Sequence, residues 1–179
     1  FCLFYCFWYN ASIKNEGNMK ISVKVPATTA NIGPGFDCMG MALPIYNTIT
    51  IEETVLPGTG IEINAINNDS TADNLMFEHI PMDETSIIYK AVELLYNSIG
   101  QTPSELKITV QSQIPIARGL GSSASVIVGG LLAANELLGH PADEVALLSI
   151  ATEVEGHPDN VTPAIVGGLC ITSQEDDGT

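Results

Sequence analysis

Pro115-Ile116-Ala117-Arg118-Gly119-Leu120-Gly121-Ser122-Ser123-Ala124-Ser125 joins a glycine-rich turn to the start of a long apolar run. That combination suits an anion. Gly119 and Gly121 lack a Cβ and take positive φ readily, so the backbone can fold closely around a phosphate and aim successive N–H groups at it. Ser122 and Ser123 then open a helix whose first N–H groups have no intrahelical partner and whose dipole places about half a positive charge at that end. Their hydroxyls add donors, or a ligand for the metal that accompanies a nucleotide. Competing readings exist. Gly119, Gly121 and Ala124 also satisfy G-x-G-x-x-G/A, but a dinucleotide fold needs an acidic residue ending the next strand about 20 residues on. Asp143 and Glu144 stand at that distance and open a helix instead. A Walker loop fails for want of a lysine after the glycines, and no G-x-S-x-G elbow passes through either serine. A Gly-Ser turn that merely caps a core helix remains the plain alternative.

Two further segments carry polar side chains between turn residues. Ala30-Asn31-Ile32-Gly33-Pro34-Gly35-Phe36-Asp37-Cys38-Met39-Gly40 presents a carboxamide and a carboxylate six residues apart. Asn31 can donate and accept, and Asp37 can receive an ammonium or a hydroxyl, although both residue types also bond their own backbone in such loops. Glu153-Val154-Glu155-Gly156-His157-Pro158-Asp159-Asn160-Val161 ends a helix in carboxylates and runs into a turn. Carboxylates at a helix C-terminus oppose the dipole, and a magnesium ion shared with phosphate oxygens would relieve them. A solvated helix end is the alternative there.

The elements that must position these segments follow from periodicity. Residues 19–26 alternate apolar and polar and stop at Pro26, which predicts a half-buried strand. Residues 27–40 read as a loop, and 45–53 and 61–66 as strands on either side of Pro57-Gly58-Thr59-Gly60. Apolar residues at Ile87, Ile88, Ala91, Leu94, Leu95 and Ile99 predict a helix over 84–99, stopped by Gly100. A strand follows over 106–110. Residues 122–138 are apolar nearly all round, so that helix is expected to be central and buried, with Gly139 as its left-handed stop. Pro141 at the first helical position, with Asp143 and Glu144 behind it, predicts a helix to about residue 155 that Gly156 and Pro158 end. Residues 166–172 read as a closing strand. Helices and strands interleave without βαβ regularity, which points to an α+β mixed sheet with packed helices.

Composition narrows the partners. The chain has 179 residues, 45% of them apolar, enough for one good core or two small lobes. Its 21 acidic residues face six basic ones, Lys14, Lys20, Lys24, Lys90, Lys107 and Arg118, and these do not cluster. Nucleic acid and anionic membrane both need concentrated basic surface, so neither is expected as a partner. An anionic nucleotide would have to be held by backbone donors, dipole and metal. Cys2, Cys6, Cys38 and Cys170 show no metal-ligand spacing and are too few for a disulfide scaffold, which favours reduced thiols and a cytoplasmic setting. The apolar run at residues 1–9 is shorter than a bilayer span and lacks the features of a secretory signal. With Met19 opening the first patterned strand, residues 1–18 read as an upstream or non-native extension.

Taken together, P-x-x-x-G-L-G-S-S-A-S, A-N-I-G-P-G-F-D-x-x-G and E-G-H-P-D-N-V-x-P-A resemble the kinase superfamily of galactokinase, homoserine kinase, mevalonate kinase and phosphomevalonate kinase, over residues 19–173. The asparagine-glycine loop and the His-Pro-Asp-Asn run look like the homoserine kinase branch, because galactokinase and mevalonate kinase carry an aspartate where Asn160 stands. The resemblance implies an N-terminal ATP-binding lobe with a left-handed βαβ crossover, then a ferredoxin-like C-terminal lobe. It also implies transfer of the ATP γ-phosphoryl to L-homoserine, with Mg²⁺, on the route to threonine. By position, the nucleotide would meet Pro115, Arg118, Gly119, Leu120, Gly121, Ser122, Ser123, Ala124 and Ser125, with Asn74 at the adenine. Ser123 and Glu155 would stand nearest Mg²⁺, with Glu153 as the fallback. Asn31, Asp37, His157 and Asp159 match homoserine-binding positions, and Asn160 and Glu155 catalytic ones. Since the family's second half has no counterpart before Thr179, the chain is expected to be a fragment of weak or no turnover, with residues 174–179 a polar end at the lobe junction. The resemblance leans toward a homodimer for the full-length form. Another small-molecule kinase of the superfamily, or a non-catalytic nucleotide-binding remnant, stays open.

Overall fold

A computed structural model of the chain describes residues 13–15, 18–53, 62–67, 81, 83–103 and 105–173. Two long strands dominate. In β2 (Asn18–Ile32) Ile21, Val23 and Val25 turn inward while Ser22 and Lys24 face out, and in β3 (Gly35–Glu53) Asn47, Ile49 and Ile51 take the same inward positions. They pair antiparallel from Lys20↔Glu52 to Ile32↔Gly35, with irregularities after Pro26 and Ala30. Pro26, which has no N–H to give a ladder, sits at the first of these breaks. The loop expected over 27–40 is therefore mostly ladder, with Thr28↔Ala42, Thr29↔Met41 and Ala30↔Gly40 in register and the reversal confined to Gly33 and Pro34. Cross-strand hydrogen bonding has overridden the turn-forming composition.

The sheet runs β1-β2-β3-β5-β4, where β1 is Ile13–Asn15, β4 is Glu62–Asn67 and β5 is Leu106–Ser112. A short β6 (Leu169–Ile171) pairs with the far part of β3, narrower than the strand expected over 166–172. Among the described residues only β4 and β5 pair in parallel, and α1 (Ile87–Ser98) lies between them in the chain as a βαβ unit. The fold is α+β with a mixed sheet. α2 (Ser122–Leu137) is its central helix and packs on β2, β3, α1 and the two helices that follow. A Cβ on Gly129 would stand 2.4 Å from Ile49 Cδ1, and one on Gly130 2.7 Å from Ile88 Cγ1. Those two glycines let α2 press onto the sheet on one side and α1 on the other.

α3 is Glu144–Glu155. It begins later than the expected start at Pro141, because the Asp143 side chain accepts from Ala146 N at 2.9 Å and so caps the helix. After Gly156 the chain enters α4 (Pro158–Val166), where a turn was expected. Pro158 ends nothing here. It occupies the first turn of α4, where a missing N–H costs no hydrogen bond.

Candidate active site

The glycine-rich turn adopts the geometry its residues allow. Ala117, Gly119 and Gly121 have φ of 55°, 69° and 58°, while the residues between them stay negative. Alternation of this kind turns successive N–H groups to one side. Gly121 caps α2 without a side chain, so the first-turn N–H groups of Ser122, Ser123 and Ala124 have no capping partner. Ser122 and Ser123 line a cavity of about 580 Å³. Its wall combines an apolar stretch, Ile87, Ile88, Val110, Ile116 and Val126, with the polar groups of Asn31, Ser123, Glu155 and Asn160.

Helix α3 delivers one carboxylate to this wall. Ser123 Oγ donates to Glu155 Oε2, joining the first turn of α2 to the last turn of α3. Burial pushes the Glu155 carboxyl above its ordinary range; the Ser123 hydroxyl and His157 pull it back, and the negative charge of Asp159 pushes it up further. A cation beside Ser123 and Glu155 would reverse that bias. The donor set consists of a hydroxyl and a carboxylate, hard oxygens that suit Mg²⁺ when phosphates complete the shell. Among the described residues no cluster of three His, Cys, Asp or Glu side chains forms a protein-only metal cage. Glu153 is exposed and outside the cavity wall.

A second network joins the hairpin tip to α4. Asn160 Oδ1 accepts from Thr28 Oγ1 at 2.9 Å, and its Nδ2 donates to Asp159 Oδ1 at 3.2 Å. Asn31 Nδ2 reaches Asp159 Oδ2 at 3.5 Å, while Asn31 Oδ1 accepts from the Asp37 N–H at 2.9 Å. Asp159 is only 2% exposed, yet both its oxygens are engaged. Asn31, Asp159 and Asn160, 128 residues apart at the first step, thus meet beside the phosphate turn. Asp37 and His157 are exposed and lie outside the cavity wall, as do Pro115 and Arg118. Leu120 is in the wall, whereas Ala124 and Ser125 are buried beneath it. Asn74 falls outside the described residues.

Two residues that the sequence reading passed over hold this arrangement. Thr28 is fully buried; besides its bond to Asn160, its N–H donates to Leu120 O at 3.1 Å, so it touches both networks. Asn47, also fully buried, bonds β5, the following loop and Ser125. A signal for Asn47 was present in the alternation itself, since it shares the inward register of Ile49 and Ile51, where an amide needs partners. Thr28 carried no such mark.

Residues 86–168 match the GHMP kinases N terminal domain. The chain carries a GHMP kinase N-terminal domain. The chain as a whole is 46% identical over 158 residues to a homoserine kinase of Trichormus variabilis, covering 86% of this chain and 48% of that one. It is 43% identical over 157 residues to a homoserine kinase of Carboxydothermus hydrogenoformans, covering 88% and 48%. The solved homoserine kinase from Cytophaga hutchinsonii superposes with a TM-score of 0.75 at 28% identity, over 94% of this chain and 52% of that one. A mevalonate kinase from Methanococcus jannaschii shares the fold, with a TM-score of 0.66 at 21% identity over 87% and 53%. The chain spans about half the length of the curated relatives it matches.

Proposed function

We propose that this protein transfers the γ-phosphoryl group of ATP to the side-chain hydroxyl of L-homoserine, giving O-phospho-L-homoserine on the route to threonine. The observation that carries the proposal is the Ser123–Glu155 pair, set at the open N-terminus of α2 in the same cavity wall as Asn31 and Asn160. Similarity to homoserine kinases at 43–46% identity supports the choice of substrate.

In this reading the phosphates lie against the N–H groups from Gly119 to Ala124, and the base takes the apolar stretch of the wall, with Asn74 at the adenine. Pro115, Arg118 and Leu120 shape the turn, and Ser125 supports it from below. Mg²⁺ held by Ser123 and Glu155 would neutralise phosphate charge as it develops. The homoserine positions are Asn31, in the cavity wall, and Asp37, His157 and Asp159, outside it, with the buried Asp159 meeting Asn31 Nδ2 at 3.5 Å. Asn160 carries no charge and cannot act as a base, and its amide is held in one orientation by Thr28 on one side and Asp159 on the other. Catalysis then rests on alignment and charge stabilisation: the homoserine oxygen bonds to the γ-phosphorus as the bond to the ADP oxygen breaks. The hydroxyl proton departs late, to an oxygen of the transferred phosphoryl group or to solvent. Residues 19–173 form the ATP-binding lobe of a cytoplasmic enzyme, a homodimer in its full-length form.

A coupled assay for ADP release, run with homoserine, mevalonate, galactose and shikimate on the protein in its full-length form, tests this. Homoserine should support the highest kcat/KM. Ser123→Ala and Glu155→Ala should each lower kcat by about 10² to 10³, the ~2.7–4 kcal/mol that one charge-stabilising group supplies. Glu153→Ala should leave it unchanged. Turnover of another substrate but not of homoserine, or full activity in the first two variants, would overturn the assignment.

A further inference from the structure

We infer that Asn47 is a positioning residue for the phosphate turn, and that it acts through Ser125 to aim the Ser123 N–H into the cavity; this deepens the nucleotide reading above and rests on it. Four hydrogen bonds run through this one amide. Its Oδ1 accepts from Ser112 Oγ at 3.0 Å, Gln113 N at 3.0 Å and Ile114 N at 3.2 Å, which ties down the end of β5 and the entry to the turn. Its Nδ2 donates to Ser125 Oγ at 2.8 Å, within the first turn of α2. The two ends of the phosphate-binding segment are therefore pinned to one side chain, itself carried on the middle of β3.

The pin reaches the site through the peptide geometry. Ser125 Oγ, oriented by accepting from Asn47, donates in turn to Ser122 O at 2.8 Å. In a trans peptide the carbonyl of Ser122 and the N–H of Ser123 point in opposite directions, so holding the first aims the second. That second group belongs to the residue whose hydroxyl meets Glu155. Neither Asn47 nor Ser125 lines the cavity, and both are fully buried. A buried amide without water must find protein partners, and one that finds four becomes a rigid spacer.

The test compares ADP with adenosine, each titrated in the presence of Mg²⁺ into the unaltered protein and into Ser125→Ala and Asn47→Leu, with thermal unfolding measured alongside. Only ADP reads the turn. Asn47→Leu should weaken ADP binding at least about tenfold, the scale of a misaimed hydrogen bond to a charged group. Ser125→Ala should weaken it several-fold, and adenosine affinity should hold in both. Parallel loss of ADP and adenosine affinity would show general loosening and overturn the inference, as would unchanged ADP affinity in a folded variant. If Asn47→Leu does not fold, Ser125→Ala decides alone. Should the unaltered protein bind ADP no more tightly than adenosine, the phosphate reading itself falls, and this inference with it.

Discussion

Replacing Gly121 by alanine probes the site at its tightest point, and replacing Gly119 supplies the control. Both residues have positive φ, 58° and 69°, so each alanine pays for a left-handed backbone, about 1–2 kcal/mol. There the likeness ends. A Cβ on Gly119 meets nothing within 4 Å, whereas one on Gly121 would stand 1.9 Å from Thr28 Oγ1 and 3.1 Å from Asn160 Oδ1. Thr28 must swing away, which breaks its 2.9 Å bond to Asn160 and leaves a part-buried amide oxygen unpaired, a further cost of about 1–3 kcal/mol. Gly119→Ala should thus lose about 1–2 kcal/mol of stability and Gly121→Ala about 2–5 kcal/mol. Urea denaturation followed by circular dichroism measures both, and an ADP titration should show the larger loss of affinity in Gly121→Ala. Equal destabilisation by the two substitutions would refute the packing of Thr28 against the turn.

Two further substitutions examine the charges. Glu155 has its pKa raised above 4.5, chiefly by burial, so the folded state binds more protons than the unfolded one, and the stability Glu155 contributes is lost as pH rises from 4.5 through the folded value. Glu155→Gln removes that slope: its unfolding free energy should converge with the parent's below pH 4.5 and gain on it above, and parallel curves would contradict the burial. Asn160→Asp sets an oxygen where Nδ2 now donates to Asp159 at 3.2 Å. It should cost about 1–3 kcal/mol at pH 7 and less near pH 4, where the two carboxylates can share a proton. Urea curves at the two pH values check this, and an equal cost at both would tell against the contact.

Much of the site was legible because its chemistry is local. Positive φ at Gly119 and Gly121, an uncapped helix start at Ser122 and a carboxylate ending α3 all follow from residues next to one another in the chain. Where reading along the chain failed, the cause was a distant partner. Residues 27–40 hold enough Gly, Asn and Pro to suggest a loop, and only the antiparallel ladder to β3 makes strand the cheaper state. Pro158 can stop one helix or start another; here it opens α4, whose Asp159 meets Asn31 of the hairpin.

By itself the amino-acid sequence determined the parts: inward Ile and Val on two strands, an apolar central helix, a turn able to wrap an anion, and carboxylates at a helix end. Local sterics and hydrophobic period are properties of neighbouring residues, and so they can be read in order. The tertiary structure alone decided that Ser123 meets Glu155, that Thr28 touches Gly121 and Asn160 together, and that Asn47 spans the base of the turn. Those contacts join residues 32 to 132 positions apart, and their geometry is set by how closely α2 settles on the sheet.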